Sequence, residues 1–237
     1  MKIRKSLFSS FILSIISTSL ASGATVLTET FTYANGALVG SVDSPWISHS
    51  GTASQVDVTS GVVNLVSTET EDVSASLSGQ PYTTGLLTAT FDVRFTVLPA
   101  AAGTYFAHFK DGASGFRSRL TSYTTGAANS FFRLAISNDG GATVPVPTDL
   151  SLNTTYAVTM TWDMATLRSS LSVAGGSSVV DTDTATAITV TSFAFRQNTG
   201  IGTLTGDNLV VTHVPEPAAA VLGSLGLLVL LRRRRYF

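Results

Sequence analysis

The 237-residue chain contains no cysteine. This excludes disulfide frameworks, zinc-thiolate sites, iron–sulfur clusters and cysteine nucleophiles. A globular part of about 190 residues folds without such links, because a domain of that size buries roughly 70% of its unfolded surface. The absence of cysteine does not indicate the cytosol, since a core of this size also serves an exported protein.

Basic side chains are scarce between the two ends of the chain. Of the 14 lysines and arginines, three lie among the first five residues and four form the run 232–235, which leaves seven for residues 24–213. The same segment carries fourteen acidic side chains and hence a net charge of −7. An acidic body repels phosphate backbones, so we expect no nucleic-acid partner.

The body also lacks helical periodicity. No stretch of twelve residues repeats its apolar side chains with a period of 3.6. Apolar and polar residues alternate instead, most clearly in 86–98, 132–136, 156–162 and 188–195. Turn residues separate about 12 to 14 such runs, a spacing typical of sandwiches. We therefore predict an all-β, two-sheet sandwich.

The N-terminal segment has three parts. A basic start is followed by an apolar stretch over residues 7–20 and by small residues at 21–24. This order is typical of a secretory signal peptide, and the stretch is too short and too polar for a good membrane span. We predict that residues 1–23 are a signal peptide, cleaved after Ala21 or Gly23.

The C-terminal segment, residues 214–237, also has three parts. In order they are the motif Pro215, Glu216 and Pro217, the uncharged stretch 218–231, and the arginines Arg232, Arg233, Arg234 and Arg235. The uncharged stretch makes a helix of ~21 Å, and snorkelling arginine stems or local thinning would match it to a bilayer core of about 30 Å. Because arginines stay in the cytoplasm, we predict a transmembrane helix with the body outside.

This tail resembles the PEP-CTERM sorting domain of Gram-negative bacteria. The resemblance implies recognition by an exosortase, a membrane-embedded cysteine enzyme that cuts near the Pro-Glu-Pro motif. It also implies an inner-membrane precursor and a mature protein at the cell surface or in an extracellular matrix. Two prolines keep the motif extended and accessible. An ordinary C-terminal membrane anchor has the same helix and arginines and stays open as an alternative.

The body, residues 24–213, has its own loose pattern. Its elements are the segment 31–38 with Trp46, the segment 155–158 with Trp162 and Asp163, and the closing segment 206–211. The pattern is similar to the concanavalin A-like, laminin-G-like jelly rolls that often carry such tails. The resemblance implies the fold and a tendency to bind glycans, and fold alone does not establish function.

Catalytic residues are not evident. A glycoside hydrolase on this fold needs two carboxylates on one strand face, and the nearest pattern, Glu69, Glu71 and Asp72, is interpreted as a solvated turn. His108 is interpreted as a half-exposed strand residue and His213 as solvated, with no nucleophile elbow near a histidine. We predict a non-enzymatic protein with no metal site. A secreted polysaccharide hydrolase or lyase is the alternative.

Glycan binding requires exposed aromatic faces with polar neighbours. The candidate contacts are Trp46, Tyr123, Arg117 and Arg119. The two arginines share one face of a predicted strand and would meet an acidic polysaccharide, or they form an ordinary solvated face. Asp181 to Asp183 and Asn138 to Gly140 offer oxygen ligands but do not match the twelve-residue calcium loop. We therefore predict no cofactor, and calcium stays an open alternative.

Together these patterns predict an exported protein of the cell envelope or extracellular matrix. Its partners would be an exosortase, the inner membrane before processing, and extracellular polysaccharide.

Overall fold

A computed structural model describes residues 23–216. Within this part the chain forms strands and loops, with no helix. In chain order the strands are β1 (Ala24–Glu29), β2 (Gly36–Ala37), β3 (Trp46–Ser50), β4 (Asp57–Thr59), β5 (Val62–Val66), β6 (Asp72–Ser76), β7 (Leu86–Val97), β8 (Thr104–Lys110), β9 (Phe116–Tyr123), β10 (Phe131–Ser137), β11 (Val144–Pro145), β12 (Leu150–Ser151), β13 (Thr155–Asp163), β14 (Arg168–Val173), β15 (Val179–Asp181), β16 (Ser192–Arg196) and β17 (Thr203–Val214).

The strands form two antiparallel sheets. The nine-stranded sheet has the order β15-β14-β13-β7-β17-β5-β4-β2, and β1 pairs with the second half of β17. The eight-stranded sheet has the order β11-β10-β9-β8-β16-β6-β3, and β12 pairs with β10. The prediction of an all-β, two-sheet sandwich is confirmed.

Strand β7 shows why the alternating pattern predicts the core. Phe91, Val93 and Phe95 are at most 2% exposed, as expected for one face of a half-buried strand. Val97 belongs to the same alternation but is 53% exposed. A register shift in the pairing of β17 with this end of β7 explains the difference, because an irregular pair re-aims the side chains beyond it.

Aromatic side chains from both sheets meet in the core. The ring centroid of Phe91 lies 5.8 Å from those of Phe193 and Phe195, and the Phe95 centroid lies 4.4 Å from that of Phe132. Each buried ring contributes about 1.5–3 kcal/mol through removal from water, and edge-to-face pairs add about 0.5–1.5 kcal/mol. The two sheets are thus held together without any covalent link.

One carboxylate is buried at the rim of this core. Glu29 is 5% exposed and accepts hydrogen bonds from the backbone N of Phe31 at 2.7 Å, the hydroxyl of Tyr33 at 2.5 Å and Nε1 of Trp46 at 3.0 Å. Burial and the Glu29 carboxylate raise the pKa of Tyr33. The Glu29 side chain therefore ties the end of β1 to β3 of the other sheet.

The last strand reaches the start of the predicted sorting segment. Val214 pairs with Leu86, so the sheet includes one residue more than the predicted body 24–213. Pro215 and Glu216 follow and are exposed. Among residues 23–216 we find no helix that is long and apolar enough to cross a bilayer.

Several predictions concern other parts of the chain. The signal peptide before Gly23, the motif residue Pro217, the helix 218–231 and the arginine run 232–235 lie outside the described residues.

Candidate functional site

Trp46 was expected at a glycan-binding surface, and its position is a correction to that prediction. The side chain is 2% exposed, and its ring stacks on Phe195 with the centroids 5.4 Å apart. The hydrogen bond from Nε1 to Glu29 holds the indole inside the sandwich. A ring packed on both sides in a core has no face left for a sugar.

Arg117 and Arg119 both lie on β9 but make different contacts. Ser118 between them has a φ of 54°, which interrupts the extended backbone. Arg117 is 7% exposed, and its guanidinium donates to the backbone oxygens of Thr186 at 2.6 Å and Phe116 at 2.7 Å. Burial lowers its pKa. The prediction of Arg117 as a glycan contact is therefore wrong, because the side chain is buried and two of its donors are bound to carbonyl oxygens, whereas Arg119 stays a candidate.

Tyr123 lies at the end of β9 and is half-buried. It pairs with Arg133 of β10, whose Nε lies 2.5 Å from Oδ1 of Asp149. Burial raises the pKa of Tyr123. Tyr123 therefore stays a candidate contact, but the charge of the neighbouring Arg133 is neutralised by Asp149.

Three strands of the eight-stranded sheet bring aromatic and cationic side chains together on its outer face. Phe193 and Phe195 of β16 face the core, so Ala194 and Arg196 face outward. His108 of β8 pairs with Ala194 and lies on the same side. We call the group formed by Tyr105, His108, Phe116, Arg119 and Arg196 the Tyr105 cluster.

Two arginines of the Tyr105 cluster lie over one ring. Cζ of Arg196 is 4.3 Å from the centroid of Tyr105, and Cζ of Arg119 is 4.9 Å from it and 5.5 Å from the centroid of Phe116. Nη1 of Arg196 also donates to Oγ1 of Thr104 at 3.1 Å. Nε of Arg119 is buried and has no hydrogen-bond partner among the described residues. One guanidinium of the cluster therefore keeps a free donor.

His108 lies beneath these side chains. It is 1% exposed, not half-exposed as the sequence predicts, because the rings of Tyr105 and Phe116 pack on it with centroids at 5.3 and 4.6 Å. Neither of its ring nitrogens has a partner within residues 23–216. Burial lowers its pKa well below the usual value, and the positive charges of Arg119, Arg196 and Lys110 lower it further. The imidazole is therefore neutral at pH 7.

His49 of β3 is half-buried near the same group. Burial and the charge of Lys110 lower its pKa to about 4. Both of its ring nitrogens lack a partner in the described part of the chain. Two neutral histidines thus lie in a region of positive potential.

Asp72 is the carboxylate nearest to Arg196. Its Oδ2 lies 3.7 Å from Nε of Arg196, and the two side chains are 14% and 19% exposed. Burial raises the pKa of Asp72 to about 6, although Arg196 acts in the opposite direction. Oδ1 of Asp72 has no partner among residues 23–216. This carboxylate therefore changes its charge in mildly acidic solution.

The predicted solvated turn around Glu69 and Glu71 is only partly solvated. Glu71 is 0% exposed, and its Oε2 accepts hydrogen bonds from the backbone N of Gln55 at 2.8 Å and of Val56 at 2.7 Å. This carboxylate holds the preceding loop in place, which is a structural role. His213 likewise is not simply solvated, since its Nε2 lies 2.9 Å from the oxygen of Thr84.

The aspartates considered as calcium ligands serve backbone groups. Oδ2 of Asp181 accepts from the backbone N of Asn138 at 2.6 Å, and Oδ1 accepts from that of Asp183 at 2.9 Å. Oδ1 of Asn138 accepts from the backbone N of Ser169 at 2.7 Å. Over residues 23–216 no three His, Asp or Glu side chains form a metal-ligand group.

A depression of about 260 Å³ opens on the other sheet. It lies between β5, β7, β13 and β17, and its polar walls include Asp92, Arg94 and Asp207. Nδ2 of Asn208 donates to Oδ2 of Asp92 at 2.9 Å. The depression lies on strands that do not contribute to the Tyr105 cluster.

Sequence reasoning did not bring the Tyr105 cluster together, and it missed Phe116 and Arg196. Arg196, Phe116 and Asp72 carry no motif, and Arg196 and Asp72 lie far in the chain from Tyr105. The only available signal was the presence of an aromatic or cationic residue on each of several alternating runs. Pairing of β8 with both β9 and β16 brings them together.

Comparison with known proteins identifies the fold. No protein-family model and no curated protein matches this sequence. A solved sialidase aligns with 79% of this chain and 18% of its own, at 16% identity and a TM-score of 0.50. The Trypanosoma rangeli sialidase in complex with 2,3-difluoro-KDN aligns over 80% of this chain and 30% of its own, at 14% identity and a TM-score of 0.52. The carbohydrate recognition domain of Emp47p aligns over 80% and 97%, at 11% identity and a TM-score of 0.47.

The similarity to the two sialidases supports the predicted jelly-roll sandwich. This chain spans less than a third of either sialidase. Similarity at such low identity extends to the fold alone, and the activity of those enzymes is not transferred by it.

Proposed function

We propose that this chain is an exported, non-enzymatic protein of the cell envelope or extracellular matrix, processed by an exosortase, whose sandwich contacts extracellular polysaccharide. The observation that carries the proposal is the order of motif, apolar stretch and arginine run at residues 215–235. The basic and apolar N-terminal segment supports export by a second, independent pattern.

The end of the sandwich supports processing of the tail. Strand β17 ends at Val214, and Pro215 and Glu216 are exposed directly after it. Oε1 of Glu216 lies 3.4 Å from the backbone N of Gly85, the only hydrogen bond of this side chain in the described part. A protease needs extended and accessible backbone, and a motif that lies just beyond a sheet provides it without unfolding the body.

The test follows the C-terminus of the full chain in a host with an active exosortase and in one that lacks it. We expect mass spectrometry of the mature protein to find no peptide from 218–237 in the first host and an intact tail in the second. The substitutions Pro215→Ala and Glu216→Ala should leave the tail intact in both hosts. An intact arginine run on mature protein in the active host would contradict the proposal.

A polysaccharide-active enzyme is the second candidate. Asp72, with a pKa raised to about 6, lies on the same face as Tyr105 and His108, which is the kind of environment in which a carboxyl acts as general acid or base. Incubation of the exported protein with acidic and neutral polysaccharides, followed by an assay for cleavage products, tests whether it is an enzyme. New reducing ends or unsaturated products that disappear in Asp72→Asn would favour the enzyme.

A further inference from the structure

The cations of the body are concentrated on one sheet. Seven lysines and arginines lie between residues 24 and 213, and five of them are on strands of the eight-stranded sheet. These five are Lys110, Arg117, Arg119, Arg133 and Arg196. The body has a net charge of −7, but its positive side chains are concentrated on the eight-stranded sheet.

Three of these five cations are engaged by other groups. Arg133 forms an ion pair with Asp149, and Arg117 donates to two backbone oxygens. Nζ of Lys110 donates to the backbone oxygens of Asp111 and Ala113 at 2.9 and 3.2 Å. Arg119 has no carboxylate within 4.0 Å among the described residues, and Arg196 has only Asp72 at 3.7 Å. The Tyr105 cluster thus holds two guanidinium groups against one partly protonated carboxyl.

Several buried polar atoms on this face have no hydrogen-bond partner among the described residues, which indicates that a separate ligand supplies their partners. Nε of Arg119, both nitrogens of His108 and Oδ1 of Asp72 are buried without a partner in the described part. A buried polar atom without a partner costs about 1–3 kcal/mol. A ligand that carries acceptor oxygens for the N–H groups of Arg119 and His108, and hydroxyl donors for the other imidazole nitrogen and for Oδ1 of Asp72, would remove this cost.

The charges decide which ligand fits. Lys110, Arg119 and Arg196 repel a metal cation from the histidines, so the two imidazoles do not form a cation site. A planar guanidinium matches a carboxylate or sulfate through paired N–H donors. The rings of Tyr105 and Phe116 supply the flat apolar surface that packs on a sugar.

We propose that the Tyr105 cluster binds an acidic polysaccharide, with Arg119 and Arg196 holding its anionic group above the buried imidazole of His108. This assignment rests on the proposed extracellular role and names the class of polysaccharide that the sandwich contacts. Tyr105 and Phe116 flank the bound sugar.

Binding strengthens as the solution becomes more acidic. An anion beside His49 and His108 raises their pKa values, so these groups take up protons on binding, and uptake favours the complex at lower pH. Protonation of Asp72, whose pKa is about 6, also releases Arg196 for the ligand. The groups that face His108 are Tyr105, Lys110, Phe116, Arg119, Arg196 and His49, with Asp72 beyond Arg196.

The test measures binding of the exported protein to polygalacturonate, dextran sulfate and neutral dextran. We expect binding to an anionic polymer, and the preference between carboxylate and sulfate names the anion. The affinity should increase as the pH falls from about 7 to about 5, the range in which Asp72, with a pKa of about 6, takes up a proton and releases Arg196. Arg119→Gln should weaken binding about tenfold or more, as expected for a lost charged hydrogen bond.

Arg168→Gln is the matched control. Arg168 is an exposed cation on β14 of the other sheet, and its loss should leave the affinity unchanged. Should Arg119→Gln fail to fold, Arg119→Lys tests the same position, because lysine keeps the charge and the alkyl stem but lacks the planar guanidinium with its paired donors.

The outcomes separate this assignment from the proposed function. Equal weakening by Arg119→Gln and Arg168→Gln would overturn the site in favour of non-specific charge attraction. Binding to neutral dextran alone would overturn the acidic ligand and leave polysaccharide contact standing. An unprocessed tail in the exosortase-active host would contradict sorting and leave the binding result untouched.

Discussion

Glu29 shows how a single buried carboxylate can hold a loop. Its three donors come from Phe31, which donates to Oε1, and from Tyr33 and Trp46, which both donate to Oε2. An amide at this position accepts at one atom only, and its NH₂ group faces the remaining donors. The carboxylate is therefore required by the donors that surround it.

Glu29→Gln is expected to lower the free energy of unfolding by about 2 kcal/mol, because buried donors lose a charged acceptor. Urea unfolding followed by tryptophan fluorescence measures the change. Asp43→Asn is the control, since Asp43 is exposed, asparagine tolerates its positive φ of 64°, and this change of carboxylate to amide should have little effect. Equal midpoints for wild type and Glu29→Gln would show that the network does not stabilise the fold.

Individual residues were the hardest level to predict. Trp46 and His108 have ordinary sequence neighbours, and burial of each depends on side chains that arrive from distant strands. Trp46 packs on Phe195, and His108 packs on Phe116. Burial of Trp46 and of His108 depends on how the strands and sheets pack, so their own sequence neighbours do not reveal it.

At the scale of elements, the hairpin of β8 and β9 positions the Tyr105 cluster. Its pairing is irregular, with register shifts on both sides of Ala107. Gly103 precedes the hairpin with a φ of +61°, and a Cβ there would lie 1.8 Å from the backbone oxygen of Ser122. The close approach of the two strands at this point requires glycine.

Gly103→Ala is expected to destabilise the protein by about 3 kcal/mol or more, because backbone strain and a clash with a backbone oxygen add together. Thermal unfolding measures the loss. Gly112→Ala is the control, since a Cβ at Gly112 meets nothing within 4 Å and the position has an ordinary φ. A similar melting temperature for both variants would show that β8 and β9 can separate at this end without cost.

The same irregular pairs explain why strands were easier to predict than faces. Alternation from Phe91 to Phe95 predicted a buried face correctly, because β7 is regular there. Arg117 and Arg119 satisfy the same two-residue rule, but the left-handed φ of Ser118 gives them different surroundings. One residue whose φ lies outside the extended range is enough to interrupt the two-residue alternation of side chains along a strand.

For the whole molecule, β17 joins the two ends of the sandwich. Its first half pairs with β5, its second half with β1, and β7 runs along its other side. His213 pairs with both Ala24 and Leu87. Removal of the last residues of β17 would therefore loosen β1 and β7 together.

A chain that ends after Glu216 is expected to keep the full stability of the sandwich, whereas one that ends after Val210 loses several kcal/mol. Val211 is 0% exposed, and burial of a valine contributes about 1.5–3 kcal/mol before the lost strand pairs are counted. Urea unfolding of the two truncated chains measures the difference. Equal stability would mean that processing upstream of Val214 is tolerated, contrary to a cut beyond the last strand.

The sequence by itself determined the kind of structure and the export hypothesis. Alternation, frequent turn residues and the absence of helical periodicity are local properties, and they are sufficient for an all-β sandwich. The export hypothesis likewise rests on local patterns of charge and apolar residues at the two ends of the chain, and it stays a prediction. Only the tertiary structure decided which side chains share a surface. Strand pairing joins residues more than a hundred positions apart, such as Thr90 and Val210, and one bulge reverses the face of all that follow.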